Sequence, residues 1–200
     1  MDKKINKDWE KLINPKEIKN NLIDASLYLS FYEMLNTAIV AKIADFYNMQ
    51  FKDGKFIKAE KYKNAITNRK INGKTNVFIS SCLWLLDNSV IFQDEYDLIV
   101  RIKEHRNRIA HDLPKFLFDS EYIIEKDLFM QIKPLTLKIV KWWIVEVEIP
   151  TNPDFDGQEI DTEKIVPGQE FILDYIFNIG NTDIDELERT IKNMESEVKQ

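Results

Sequence analysis

Arg106, Asn107 and His111 are the residues of this chain whose types and spacing best suit chemistry on a phosphate. The guanidinium of arginine is a permanently charged fork of N–H donors that matches phosphate oxygens. The imidazole of histidine titrates nearest to neutral pH, so it can accept or donate a proton. Spacing alone is a weak signal, because an arginine and a histidine at this separation arise by chance with a probability of about 5% in such a chain.

The residues around this pair strengthen the signal. Asn107 directly follows Arg106, and the small apolar residues Ile109 and Ala110 precede His111. The motif Arg106-Asn107-x-x-Ala110-His111 resembles the Arg-polar-x-x-x-His signature of the HEPN superfamily, a group of small α-helical nucleotide- and RNA-binding domains. The likeness is close over the motif itself, extends only to the order of helices from about residue 20 to residue 149, and does not include residues 150–200.

The resemblance implies an all-α fold, an antiparallel helical bundle in residues 1–149. Residues 150–200 then form a short C-terminal extension, made of a linker and one or two helices. HEPN domains characteristically pair, so a homodimer is expected, with a shared cleft that holds two arginines and two histidines.

The activity that the resemblance implies is metal-independent endoribonuclease cleavage of RNA through the ribose 2′-OH. His111 would move a proton, and Arg106 would hold the scissile phosphate. Asn107 would orient His111 or the phosphate by hydrogen bonding. Because only RNA has the 2′-OH, single-stranded or loop RNA is the expected substrate. The candidate substrate-binding residues are Lys103, Arg108 and Glu33.

Proteins of this kind often act in toxin–antitoxin or anti-phage systems, so an antitoxin or regulatory protein is an expected partner. Some of those toxins carry a tyrosine two residues after the motif histidine, where this chain has Leu113. The alternative is a non-catalytic helical module that binds nucleotide, RNA or protein, because a fold does not fix a function. In that case Arg106 would form a structural or interface ion pair with an acid such as Glu33.

The composition is that of a folded domain. With 200 residues, 44% of them hydrophobic and 12% aromatic, the chain can bury one core. The polar start predicts no signal peptide, and no long apolar run predicts a membrane span. The single Cys82 cannot form an internal disulfide, which fits a cytoplasmic protein, and it is expected in the core.

The net charge of −6 is unusual for an RNA-binding protein, but it is unevenly distributed. Residues 150–200 carry four basic and thirteen acidic side chains, whereas the first 149 carry twenty-four basic and twenty-one acidic ones. The stretch from Lys55 to Lys74 is basic and contains Phe56 and Tyr62, so it is either an RNA-binding surface or an ordinary solvated segment.

Several helices follow from local signals. Asn14 and Pro15 predict a helix start, a strong helix is expected over residues 22–47, and residues 77–87 are apolar enough for a buried helix. A short docking helix is expected before residue 14, and Asp119 or Ser120 is expected to cap a helix that Pro134 kinks or restarts. Residues 145–149 alternate like a strand, Gly180 should end a helix that begins at Gln169, and a charged helix is expected over residues 183–199.

The helix that begins near Gln93 carries the motif and distinguishes the two histidines. His105 lies on its apolar stripe and is expected to be a hydrogen-bonded core residue, whereas His111 lies off that stripe. On an ideal helix Arg106 and His111 are about 140° apart, so their side chains diverge. Either the helix loosens at His111 or Asp112, before Pro114, or two protomers bring their motifs together.

Glu33 is the one acid in the central turns of its helix, so it is either exposed and paired with an arginine or part of the catalytic site. Other chemistries have no support in the sequence. Two histidines and one cysteine give no zinc spacing, and there is no glycine-rich phosphate loop. The sequence therefore predicts no metal and no cofactor.

Overall fold

The computed structural model describes residues 3–47, 49–52 and 55–182, and over these ranges the chain is all-α. The helices are α1 (Lys3–Leu12), α2 (Pro15–Asn36), α3 (Lys42–Phe46), α4 (Glu60–Tyr62), α5 (Val77–Asp87), α6 (Gln93–Phe118), α7 (Lys126–Trp143), α8 (Ile149–Thr151) and α9 (Gly168–Asn181). Three π-helical turns extend these helices. The first, Thr37–Ala41, joins α2 to α3; the second, Lys63–Thr67, follows α4; and the third, Ile144–Glu148, joins α7 to α8. Short 3-10 turns occupy Pro153–Phe155 and Thr162–Lys164.

Among the described residues, strands occur only as two antiparallel hairpins. In the first, β1 (Met49–Lys52) pairs with β2 (Lys55–Lys58); in the second, β3 (Lys70–Ile71) pairs with β4 (Lys74–Thr75). Asp53 and Gly54, which join β1 to β2, lie outside the described ranges, as does the helix expected over 183–199.

Helix α2 begins where the sequence predicts a start. The Asn14 side chain accepts a hydrogen bond from the Glu17 backbone N–H at 3.3 Å, and Pro15 occupies the first helical position, where no N–H is needed. The strong helix expected from residue 22 is therefore longer than predicted, and it continues through the π-helical turn into α3.

The core lies where α2, α5, α6 and α7 pack together. Fully buried side chains come from each of these helices, among them Tyr28, Leu35, Leu85, Ile102 and Ile139. Cys82 is 0% exposed, as predicted for a core residue, and burial raises the pKa of its thiol to about 12. The helix predicted over residues 77–87 is confirmed with the same bounds.

Helix α1 packs on the rest of the fold through Lys11, while Trp9 and the adjacent Ile13 stay in solvent. Trp9 and Ile13 are 55% and 70% exposed, whereas Lys11 is 7% exposed. The Lys11 ammonium donates to the backbone carbonyls of Asp119 and Tyr122 at 2.8 and 3.0 Å. Burial lowers the pKa of Lys11, and these two acceptors offset part of the cost of burying the charge.

The start predicted for α7 at Asp119 or Ser120 is wrong. The Asp119 carboxylate accepts from the Glu121 backbone N–H at 2.9 Å, and the Ser120 N–H donates to Asp8 at 2.8 Å, so both residues belong to a turn. Helix α7 begins only at Lys126 and then runs through Pro134 as one helix. The strand-like alternation of residues 145–149 is in fact a π-helical turn.

Helix α9 also passes the stop predicted at Gly180 and ends at Asn181. A Cβ at Gly180 would lie 2.8 Å from a methyl carbon of Leu27, so glycine permits close packing of α9 on α2 instead of ending the helix. Leu173 of α9 is 0% exposed and belongs to the same core as α2 and α7. The division of the chain at residue 149 stays a prediction.

Within the described ranges, the helices are all too short or too polar to cross a membrane.

Candidate functional site

The motif lies in the C-terminal half of α6, just before an irregularity in that helix. Asp112 has φ −116° and ψ 25°, which is outside the helical region, and the helix then resumes to Phe118. Pro114 explains the distortion, because it has no N–H to donate to the Ala110 carbonyl and its ring crowds the preceding turn. The predicted loosening at Asp112 is thus confirmed, but the helix does not end there.

Arg106 is held by two contacts with α2 and by one with its neighbour on α6. Its Nη2 donates to the Glu33 carboxylate at 2.6 Å, and its guanidinium carbon lies 5.2 Å from the centre of the Tyr32 ring. Its Nη1 lies 3.4 Å from the Asn107 side-chain oxygen. The side chain is still 31% exposed, and its Nε is buried without a hydrogen-bond partner. The guanidinium is therefore held in one orientation while part of it stays open to solvent.

His111 stands apart from these contacts. Its side chain is exposed, and the described residues provide no hydrogen bond, ion pair or ring contact to it. Asn107 lies four residues before it, which places the two side chains on neighbouring positions of one helix face. Asn107 is therefore the one residue that contacts the guanidinium and also shares a face with the imidazole.

The distortion of α6 does not bring Arg106 and His111 together. It lies at Asp112, one residue after His111, so the backbone from Arg106 to His111 remains helical and keeps the two side chains about 140° apart. Of the two routes considered from the sequence, loosening of the helix therefore fails within one chain. A second copy of the chain is the route that remains.

The other three candidates also lie in defined surroundings. Glu33 is the partner of Arg106, and its side chain is 51% exposed. It is therefore exposed and paired with an arginine, the first of the two alternatives that the sequence left open. The Lys103 ammonium lies 4.6 Å from the centre of the Phe78 ring on α5. Arg108 donates to Glu125 at 2.6 Å, so it is engaged with the segment before α7. Lys103 and Arg106 thus flank one side of α6, and Arg108 lies on another.

His105 is a core histidine, as its place on the apolar stripe predicts. It is 1% exposed and packs edge-on against Tyr28, with 5.0 Å between ring centres. Its Nε2 accepts from the Glu125 backbone N–H at 3.0 Å, and its Nδ1 lies 2.7 Å from the Arg108 Nη2 and 3.2 Å from the Glu125 carboxylate. His105 therefore secures the start of α7 and is not available to a ligand.

This burial makes the stability of the fold depend on pH. Desolvation lowers the pKa of His105, and the nearby Arg108 lowers it further, while Glu125 opposes both. The unfolded chain therefore binds a proton first as the pH falls below about 6.5. We expect the free energy of unfolding to fall from that pH downward, until the folded form is protonated as well.

Urea unfolding at pH 7.5 and pH 5.5 measures this effect. A His105→Gln variant should be less stable at pH 7.5 and should lose less stability on acidification than the parent. His111→Gln is the control, because that ring is exposed in the folded chain, and it should keep the parent's dependence on pH. An unchanged slope in His105→Gln would assign the pH dependence to other groups.

Sequence reasoning missed Tyr32, Phe78 and Glu125, which hold the cations of α6. Each is separated from its partner by between 17 and 74 residues in the chain, so no local pattern reports the contact. The only usable signal is the presence of several cations on a helix with few acids at neighbouring positions, because such cations need partners from other elements.

The described residues contain no group of three or more histidines, cysteines or acids placed to hold a metal ion. No family model, no curated protein and no solved structure matches this chain. The likeness to the HEPN superfamily therefore rests on the residues of the motif, and the family stays a proposal.

Proposed function

We propose that this protein is a metal-independent endoribonuclease of HEPN type whose active form is a homodimer. One observation carries the proposal: the exposed, uncommitted imidazole of His111 lies one helical turn after Asn107, which contacts the oriented guanidinium of Arg106. A proton carrier and an anion-binding fork are the two groups required when a ribose 2′-oxygen attacks the adjacent phosphate and displaces the 5′-oxygen.

The reaction consists of one internal displacement. A histidine takes the proton of the ribose 2′-OH, and the 2′-oxygen attacks the adjacent phosphorus. The bond from phosphorus to the 5′-oxygen breaks, and the leaving oxygen takes a proton from a second acid. The products are a 2′,3′-cyclic phosphate and a 5′-hydroxyl. His111 of one protomer acts as the base and His111 of the other as the acid, while Arg106 stabilises the charge that develops on the phosphate oxygens.

The orientation of Arg106 supports its role at the phosphate. Glu33 occupies one edge of the guanidinium and the Tyr32 ring lies against its face, so fewer conformations must be lost when a phosphate binds. The exposed part of the guanidinium leaves N–H donors for a phosphate oxygen. Lys103, on the same side of α6, adds a positive charge for the backbone of the RNA.

The outward face of α6 supports the dimer. Asn107, His111, Pro114 and Phe118 recur at intervals of four, three and four residues, and the last three are exposed. Pairing of this face with its own copy about a two-fold axis places two motifs side by side, which supplies the second histidine. We further propose that the protein acts in the cytoplasm and that an antitoxin or regulatory protein inhibits its activity.

We expect Phe118→Asp to convert the dimer into a monomer and to lower RNA cleavage accordingly. Phe118 is 41% exposed, and a charge at that position would be desolvated in the paired interface. Light scattering measures the mass of each variant. Phe155→Asp is the matched control, because Phe155 is 39% exposed but lies in the turn after α8, and it should not change the mass. A parent protein that is strictly monomeric, even with RNA bound, would remove the composite site.

A second function is favoured by a different observation. The Arg106–Glu33 ion pair at 2.6 Å links α6 to α2, which is what a non-catalytic helical module with a structural arginine would show. Such a module would bind nucleotide, RNA or a protein without cleaving RNA, and His111 would then be an ordinary surface residue.

The decisive experiment is to incubate the purified protein with mixed RNA in excess EDTA. The proposal expects cleavage that leaves 2′,3′-cyclic phosphate ends. An RNA that is cut should no longer be cut when it is synthesised with 2′-deoxyribose at the nucleotide before the cut. If the parent binds this RNA but never cuts it, the non-catalytic module is correct. If it neither binds nor cuts RNA, both RNA functions are excluded.

A further inference from the structure

Helix α9 carries apolar side chains on two of its sides, and the described residues cover only one of them. Leu173 is 0% exposed and Phe177 packs on Phe31 and Phe129, so the inner side belongs to the core. On the outward side, four large apolar residues remain in solvent: Phe171, Ile172, Tyr175 and Ile179, which are 75%, 47%, 59% and 38% exposed. We call these four the outer stripe. A helix with apolar residues on two sides normally packs between two other elements.

The outer stripe continues into a groove between α9 and the first half of α2. The groove has a volume of about 340 Å³ and is lined mainly by Leu22, Ile23, Leu27, Ile176 and Ile179. The close approach at Gly180, where a Cβ would meet Leu27 at 2.8 Å, closes the floor of the groove near the end of α9. Helix α9 ends at Asn181, so the chain leaves the described fold beside this apolar surface.

The sequence that follows carries an apolar pattern that fits this surface. In residues 183–200 the apolar side chains are Ile184, Leu187, Ile191, Met194 and Val198, and every residue between them is polar. Intervals of three and four residues place all five on one side of a helix, in the narrow stripe typical of a helix that pairs with one other helix. That stripe has no cover unless another apolar surface meets it.

We propose that residues 184–198 pair, as an amphipathic helix, with the outer stripe and the adjoining groove of the same chain. The lengths agree, because fifteen helical residues span about 21 Å and the outer stripe extends over about 12 Å along α9. The short connection through Thr182 and Asp183 allows the segment to reverse direction and run antiparallel to α9. The polar side of the segment, with six acids and three bases in residues 183–200, faces solvent.

The covalent connection favours this occupant over a second copy of the chain. A segment tethered by two or three residues is present at an effective concentration in the millimolar range next to its surface, far above that of a separate molecule. Pairing within the chain covers both apolar surfaces at once, which removes an exposed patch that would otherwise promote association.

Limited trypsin digestion of the full chain tests the pairing, because Arg189 and Lys192 lie within the segment. Pairing should protect these two sites relative to a free peptide of residues 183–200. Ile179→Asp and, separately, Leu187→Asp should each increase the cleavage rate at these sites about 10-fold, which corresponds to about 1.4 kcal/mol of lost pairing energy. Phe155→Asp is the matched control, because Phe155 is 39% exposed, close to the 38% of Ile179, and lies outside α9 and the groove.

Each result decides the proposal. Circular dichroism melting should show that the variants remain folded, and Leu187→Asp keeps the test valid if Ile179→Asp does not fold. Cleavage in the parent as fast as in the free peptide would overturn the pairing, as would protection that Ile179→Asp and Leu187→Asp leave unchanged. Protection that rises with protein concentration would assign the surface to a second copy of the chain instead.

Discussion

Replacing His111 by alanine is expected to lower the rate of RNA cleavage by at least about 100-fold, because general acid–base catalysis by one side chain contributes factors of that size. The exposed ring of His111 makes no contact within the described part of the chain, so the free energy of unfolding should change by less than about 0.5 kcal/mol. A large loss of activity without a loss of stability is the signature of a residue that acts on the substrate.

Arg106→Ala should lower the rate by a factor of about 100 to 1,000, the range seen when one donor to a developing oxyanion is removed. Arg106→Lys should recover little of this loss, because an ammonium cannot reproduce the planar fork. RNA cleavage under single-turnover conditions in EDTA measures both variants. Asp94→Ala is the control, because Asp94 is exposed in the first turn of α6, far along the helix from the motif, and it should leave the rate unchanged.

Arg106 also has structural contacts, so its effect on folding must be separated from its effect on cleavage. Arg106 and Glu33 are 31% and 51% exposed, and an ion pair this open to solvent typically contributes less than about 1 kcal/mol. A double-mutant cycle of Arg106→Ala and Glu33→Ala, measured by urea unfolding, should give a coupling energy below that value. A coupling of several kcal/mol, together with unchanged cleavage, would make the arginine a structural residue.

Trp143→Ala is expected to have the largest effect on stability, a loss of about 3 to 5 kcal/mol in the free energy of unfolding. The indole is 2% exposed and lies parallel to Trp84, with 5.7 Å between ring centres and 3° between planes. Its N–H donates to the Ala38 carbonyl at 3.1 Å, within the π-helical turn that follows α2. The variant loses packing, leaves a cavity and removes the partner of a buried carbonyl.

Because small domains are stable by only about 5 to 15 kcal/mol, this variant should be close to unfolding. Urea titration followed by circular dichroism measures the change without depending on tryptophan fluorescence. Trp9→Ala is the matched control, since Trp9 is 55% exposed on α1, and it should cost less than about 1 kcal/mol. Similar losses in the two variants would show that the Trp143 environment is not the centre of the core.

The sequence was informative wherever one short segment contained the whole cause. Asn14 and Pro15 start α2 because the cap and the missing N–H act within one turn, and Val77–Asp87 is a helix with the predicted bounds. The periodicity of α6 separated a buried His105 from an exposed His111, because burial of one helix face repeats every three to four residues. Pro114 located the distortion at Asp112, since the steric effect of a proline extends only to its nearest neighbours.

Contacts between distant segments decided the rest. Gly180 reads as a helix stop, but its role is set by Leu27, and Asp119 reads as a helix cap, but the turn it occupies is held by Lys11. The sequence named Glu33 as one possible partner of Arg106, but whether two residues 73 positions apart meet depends on how α2 packs against α6. The sequence thus determined the all-α class and singled out Arg106, Asn107 and His111 by their types and spacing. Only the tertiary structure decided which way they face, because helix–helix packing, and not hydrogen bonding within a helix, brings remote side chains into contact.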